Sequence, residues 1–130
     1  MEELALDASI GESGYMSEKI GDPVTVISPN SDLFTLINVF TVAPERQQEL
    51  VDTLIETTER VIKEIPGFVS ASFHKSLDGG RVVNYAQWSN RAAFEAVMQN
   101  ADARARMGLA QEIGQADGHF YTVSRVVVSG

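Results

Sequence analysis

The sequence predicts an α+β domain, with helices laid against one face of a four-stranded antiparallel sheet in the ferredoxin-like split βαβ arrangement. Three observations predict it. Leu33 to Val42 and Arg81 to Trp88 are rich in β-branched and aromatic residues and read as strands. Ala43 to Ile65 repeats apolar residues at helical spacing. The stretch Leu77-Asp78-Gly79-Gly80 reads as a hairpin turn, because Asp-Gly and Gly-Gly accept the positive φ angles that a tight hairpin needs. With the segments after Trp88 the order becomes β-α-β-β-α-β, the second helix broken in two.

Each element has its own signature. In Leu33–Val42 both faces are largely apolar, so both should be covered. Asn38 is the exception; it shares a face with Phe34, Leu36, Phe40 and Val42. A buried amide there needs partners, either nearby backbone or something in a cavity. In Ala43–Ile65, Pro44 suits the first turn. Leu50, Val51, Leu54, Ile55, Thr58, Val61, Ile62 and Ile65 form the inner stripe, and the charged face opposite reads as solvated. Pro66-Gly67 ends the helix.

Pro66 to Trp88 reads as two strands around the turn. On the second, Val82, Asn84, Ala86 and Trp88 share one face, and Val83, Tyr85 and Gln87 share the other. An amide and an indole N–H then lie on one surface of the strand. Such a wall suits a planar, oxygen-bearing ligand better than a phosphate or a peptide. On the preceding strand, simple alternation puts His74 on one face with Phe68, Ser70 and Ser72.

Ser89 is the expected cap of a helix running to about Gln99, with Phe94, Val97 and Met98 inside. Asn100-Ala101-Asp102 breaks it, and a further helix runs from about Asp102 to Gln115. Arg104 and Arg106 are two apart, so only one can point at a given partner. Asp117-Gly118 is expected to turn the chain into a last strand, His119 to Val128.

Composition narrows the function. The chain of 130 residues fits one domain, 33–128, after a leader, 1–32. There is no cysteine, which excludes disulfides and thiolate chemistry. The net charge of −8 argues against a nucleic-acid partner. Residues 1–32 hold seven acids against Lys19 alone, so most of the acidity belongs to the leader. Within it, Pro23 to Ser28 could form a short edge strand. No stretch approaches the ~18 apolar residues of a membrane span. The acidic start does not read as a signal peptide, so a cytoplasmic location is expected. The uncovered sheet face would expose many apolar side chains, which points to a homodimer paired through the sheets.

The chain resembles the antibiotic biosynthesis monooxygenase family, small dimeric α+β-barrel proteins. The resemblance rests on Leu33–Val42, Ala43–Ile65, the segment PGFVSASFHKSLDGG and above all VVNYAQW, and spans about residues 33–128. Its nearest branch is the anthrone-type monooxygenases of aromatic polyketide pathways. The resemblance implies oxygenation by O₂ without metal, flavin or haem, on a small aromatic substrate that becomes a quinone. It implies that Asn84 and Trp88 hold the substrate and its developing oxyanion and that Asn38 completes the polar set. Phe40, Phe94, His74, Arg104 and Arg106 are the candidate substrate-binding residues, with His74 as a possible proton relay. Phe94 stands where that branch carries a tyrosine. Two other uses of such a fold are a non-enzymatic barrel that binds a small aromatic molecule and a haem-degrading enzyme. The second needs an axial histidine, and residues 89–116 contain none.

Overall fold

The computed structural model describes residues 21–130. Residues 1–20 of the acidic leader lie outside the described residues. Strand β1 is Phe34–Val42, helix α1 Gln47–Arg60, strands β2 and β3 Phe68–Lys75 and Arg81–Trp88, helices α2 and α3 Arg91–Gln99 and Ala101–Ile113, and strand β4 Gly114–Tyr121. The four-stranded sheet has the order β2-β3-β1-β4, antiparallel throughout. This is the ferredoxin-like arrangement, with the second helix broken at Asn100.

The expected long helix is α1 with a short 3-10 turn at each end, Pro44–Arg46 and Ile62–Glu64. Its inner face buries Leu50, Val51 and Leu54 against Phe40, Val42 and Val82. Leu50 and Val82 are fully buried; a Leu or Val so placed contributes about 1.5–3 kcal/mol. A second cluster joins Trp88 to Ala93, Val97 and Ala103.

The hairpin turn is held by side chains. Asp78 Oδ1 accepts from Ser76 Oγ (2.8 Å) and from the Gly80 amide (3.0 Å). Gly79 sits at φ 84°, as the turn chemistry requires. Gln47 Nε2 donates to the carbonyls of Ser76 (3.0 Å) and Arg81 (2.9 Å), tying the turn to α1.

Five expectations need correcting. The cap of α2 is Asn90, not Ser89: its side-chain oxygen accepts from the Ala93 amide at 2.9 Å. α3 ends at Ile113, and Asp117-Gly118 lies inside β4 rather than in a turn. β4 ends at Tyr121 instead of Val128, because its partner β1 runs out: Thr35 pairs with Tyr121. Val127 and Val128 are largely exposed.

The fourth correction concerns β2. Phe68 pairs with Trp88, but Ser70 already pairs with Gln87, so a bulge absorbs Val69. The extra residue reverses the alternation. Ala71 and Phe73 then share the inner face with Phe68, and Ser70, Ser72 and His74 lie on the outer one.

The outer sheet face is partly covered by the chain before β1. Pro23–Ser28 forms no strand. It is fixed instead on Gln87, whose Oε1 accepts from Thr25 Oγ1 and from Ser70 Oγ, each at 2.8 Å. Gln87 Nε2 donates to the Val26 carbonyl at 2.9 Å. Gln87 and its cross-strand partner Thr35 are buried.

Candidate active site

Between the helices and the inner sheet face lies a cavity of about 80 Å³. Alternation along β1 and β3 supplies its floor: Leu36, Asn38 and Phe40 from one strand, Asn84, Ala86 and Trp88 from the other. Asn38 and Asn84 are directly opposite as Cα partners.

The end of the cavity near Trp88 is aromatic. The Trp88 ring meets Phe68 edge-on at 5.1 Å and Phe94 at 6.0 Å. Phe94 also meets Phe34 at 5.9 Å and Phe120 at 5.1 Å. Arg91 lies over the Phe34 and Phe120 rings, at 5.7 and 5.8 Å from their centroids. These rings fix Trp88 in place, and its side chain is 3% exposed.

Three buried polar atoms in this wall have no hydrogen-bond partner among the described residues: Asn38 Oδ1, Asn84 Oδ1 and Trp88 Nε1. An unmade bond of this kind costs about 1–3 kcal/mol. Native proteins keep few such atoms, and functional sites are where they collect. The indole offers one donor. Each amide offers a carbonyl oxygen or, after rotation by half a turn, its N–H groups. The wall can therefore grip a flat molecule that carries both an oxygen acceptor and hydroxyl donors.

Arg106 lines the cavity from α3 with 27% of its side chain exposed. It pairs with Asp102 at 3.1 Å and approaches Glu56 of α1 at 3.9 Å. Arg104 is exposed and does not line the cavity. His74 lies outside it, on the outer face, with Nε2 3.1 Å from Ser72 Oγ. Among the described lining residues no histidine occurs and Arg106 is the one ionisable group. No cluster of three or more potential metal ligands occurs among the described residues.

Of the sequence candidates, the structure brings Asn38, Phe40, Asn84, Trp88, Phe94 and Arg106 together and leaves out His74 and Arg104. Thr58, from the expected inner stripe of α1, also lines the cavity, and so do Thr57 and Gln111, which were not expected there. Gln111 stands four residues after Met107, on the same helical face, which was the available signal. Both threonines turn their hydroxyls onto their own helix: Thr57 Oγ1 donates to the Thr53 carbonyl and Thr58 Oγ1 to that of Leu54.

Residues 33–108 match the model of the antibiotic biosynthesis monooxygenase family. The chain belongs to that family. As a member it is an oxidoreductase, so the non-enzymatic reading falls away. It is 58% identical over 81 residues to the tetracenomycin-F1 monooxygenase of Streptomyces glaucescens, covering 62% of this chain and 70% of that one. It is also similar to a monooxygenase from the gene ActVA-Orf6 of Streptomyces coelicolor, solved in complex with the ligand nanaomycin D. There the TM-score is 0.64 at 26% identity, over 79% of this chain and 96% of that one. SnoaB, a cofactor-independent oxygenase from Streptomyces nogalater, shares the fold at 19% identity and TM-score 0.62, over 76% of this chain and 100% of that one. The partnerless atoms of this monooxygenase, on Asn38, Asn84 and Trp88, all lie within the span that matches the family. No helix among its described residues is long and apolar enough to cross a membrane.

Proposed function

We propose that this enzyme oxidises a planar polycyclic phenol of the anthrone type to the quinone with O₂, without metal, flavin or haem. The observation that carries the reading is the set of three partnerless buried atoms, on Asn38, Asn84 and Trp88, in an aromatic-walled cavity. The relative named for its action on tetracenomycin F1 and the neighbour that holds nanaomycin D support a substrate of this kind.

The reaction converts a ring methylene to a carbonyl. The methylene loses a proton, and the resulting anion spreads its charge onto the ring oxygen. Trp88 Nε1 and the amide N–H groups of Asn38 and Asn84 stabilise that oxygen as charge develops. The anion gives electrons to O₂, a carbon–oxygen bond forms, and the adduct takes up a proton as a hydroperoxide. Loss of the second methylene proton breaks the O–O bond. The carbonyl keeps one oxygen atom, and the other leaves as water. No side chain among the described lining residues can act as a base near neutral pH, so the first proton passes to water at the mouth. The Arg106 cation there favours the anionic substrate. The apolar walls keep water from the reactive intermediates.

We also propose that two copies pair across the outer sheet face, where Ile37, Val39 and Tyr85 are only partly covered and Tyr121 is exposed. The test of the activity is O₂ uptake by metal-free protein with a panel of anthrones and hydroquinones, beside Trp88→Phe and Asn84→Ala. Uptake that falls by ~10²-fold or more in either variant is expected, as for a lost oxyanion donor. Absence of uptake by the intact dimer, with ligands still bound, would refute the reading.

A further inference from the structure

We infer that Gly118 is a positioning residue for Asn38. The inference rests on the proposed role of the Asn38 amide. Gly118 and Asn38 are Cα partners across β4 and β1, so a side chain at 118 would point to the cavity side. A Cβ built on Gly118 would meet three atoms: Asn38 Cγ and Oδ1, each at 3.2 Å, and Leu36 Cδ1 at 3.4 Å. The first two are tighter than ordinary van der Waals contact, so the amide would have to give way. The Asn38 amide thus leans over the bare Cα of Gly118, with its Oδ1 buried and partnerless.

Nothing else in the fold calls for glycine here. Glycine in a strand interior costs stability relative to residues with a side chain. Gly118 is not among the positive-φ glycines of the described residues, which are Gly21, Gly67 and Gly79. Gly114, on the same face of β4, differs in kind: a Cβ there would strike Leu50 Cδ2 at 2.9 Å and the Thr41 carbonyl at 3.1 Å, which is a requirement of core packing. At Gly118 the space is used by a polar group of the cavity wall. Across β1 from Gly118 stands Asn84, so a methyl group at 118 would press the Asn38 amide toward Asn84. The separation of the two amides, and hence where an oxygen can sit between them, is set from the edge strand.

The test compares Gly118→Ala, Asn38→Ala and the double variant, with dithranol, a dihydroxyanthrone, as substrate. A displacement of a few tenths of an ångström should lower kcat about three- to tenfold, by the scale on which misplaced groups lose rate. KM and the urea midpoint should hold or improve. In the Asn38→Ala background the Gly118→Ala change should have no further effect. Three results would overturn the inference: unchanged kcat in Gly118→Ala, a loss of kcat that tracks a loss of stability, or the same loss with and without the Asn38 amide. If Asn38→Ala itself oxidises dithranol at the wild-type rate, the role of the amide fails, and the inference with it. If Asn38→Ala is impaired and Gly118→Ala is not, only the positioning role fails.

Discussion

Asn38 and Asn84 face each other across β1 and β3 on the cavity side of the sheet, and the side-chain oxygen of each is buried without a hydrogen-bond partner. Two partnerless amide oxygens side by side are a liability to the fold alone. Their presence makes sense where a bound molecule completes them.

This gives opposite expectations for stability and activity. Asn84→Leu removes a partnerless polar atom and keeps similar bulk. Its urea midpoint should equal or exceed that of the wild type, since the unmade bond costs about 1–3 kcal/mol. Its turnover with an anthrone should fall by about 10²-fold. A fall in the midpoint with turnover preserved would make the amide structural.

The second expectation concerns protons. His74 lies on the outer face, and Arg106 is the one ionisable group among the described lining residues. The rate should therefore rise with pH along the ionisation of the substrate and move when a substituted, more acidic anthrone is used. His74→Ala should leave kcat/KM within about twofold, whereas loss of a working general base costs about 10²–10⁴-fold. A pH profile that stays fixed across substrates and changes in His74→Ala would contradict this.

The third lies in the hairpin turn. The Gly80 amide first, then the Ser76 hydroxyl, hold the Asp78 carboxyl below its ordinary pKa. The folded state thus favours the ionised form. The stability gained is fully present above the unfolded pKa, about 4, and is lost as pH falls through the lower folded value. Wild type and Asp78→Ala should differ in urea midpoint at pH 7, and the gap should narrow as the pH is lowered below about 4. A gap that is the same at pH 7 and pH 3 would show that the charge is not involved.

How much of this was legible in the sequence depends on the strand. In β1 and β3 the alternation is unbroken, so Asn38, Phe40, Asn84 and Trp88 could be assigned to one cavity wall from spacing alone. In β2 the same rule failed at His74, because one extra residue at Val69 reverses the faces. No residue type near Val69 signals a bulge; it follows from pairing with Trp88 and Gln87, which is a property of the folded sheet. The end of β4 failed for a similar reason. Arg125 to Val128 has strand composition, but β1 offers no residue beyond Phe34 to pair with it. Spacing correctly required that only one of Arg104 and Arg106 face the cavity, and the packing of α3 selected Arg106.

The Gln87 contacts have a consequence for the order of folding. Thr25 and Val26 reach a residue 62 and 61 positions later in the chain. That partner lies on the outer face only once β3 has paired with β2 and β1. The Pro23–Ser28 segment must therefore settle after the sheet has formed, since closing so long a loop brings no gain before its docking site exists. By the same logic it is the first part to let go. In native-state hydrogen exchange, amides near Thr25 should open without the sheet, and Gln87→Ala should speed their exchange while leaving those of β3 as they were.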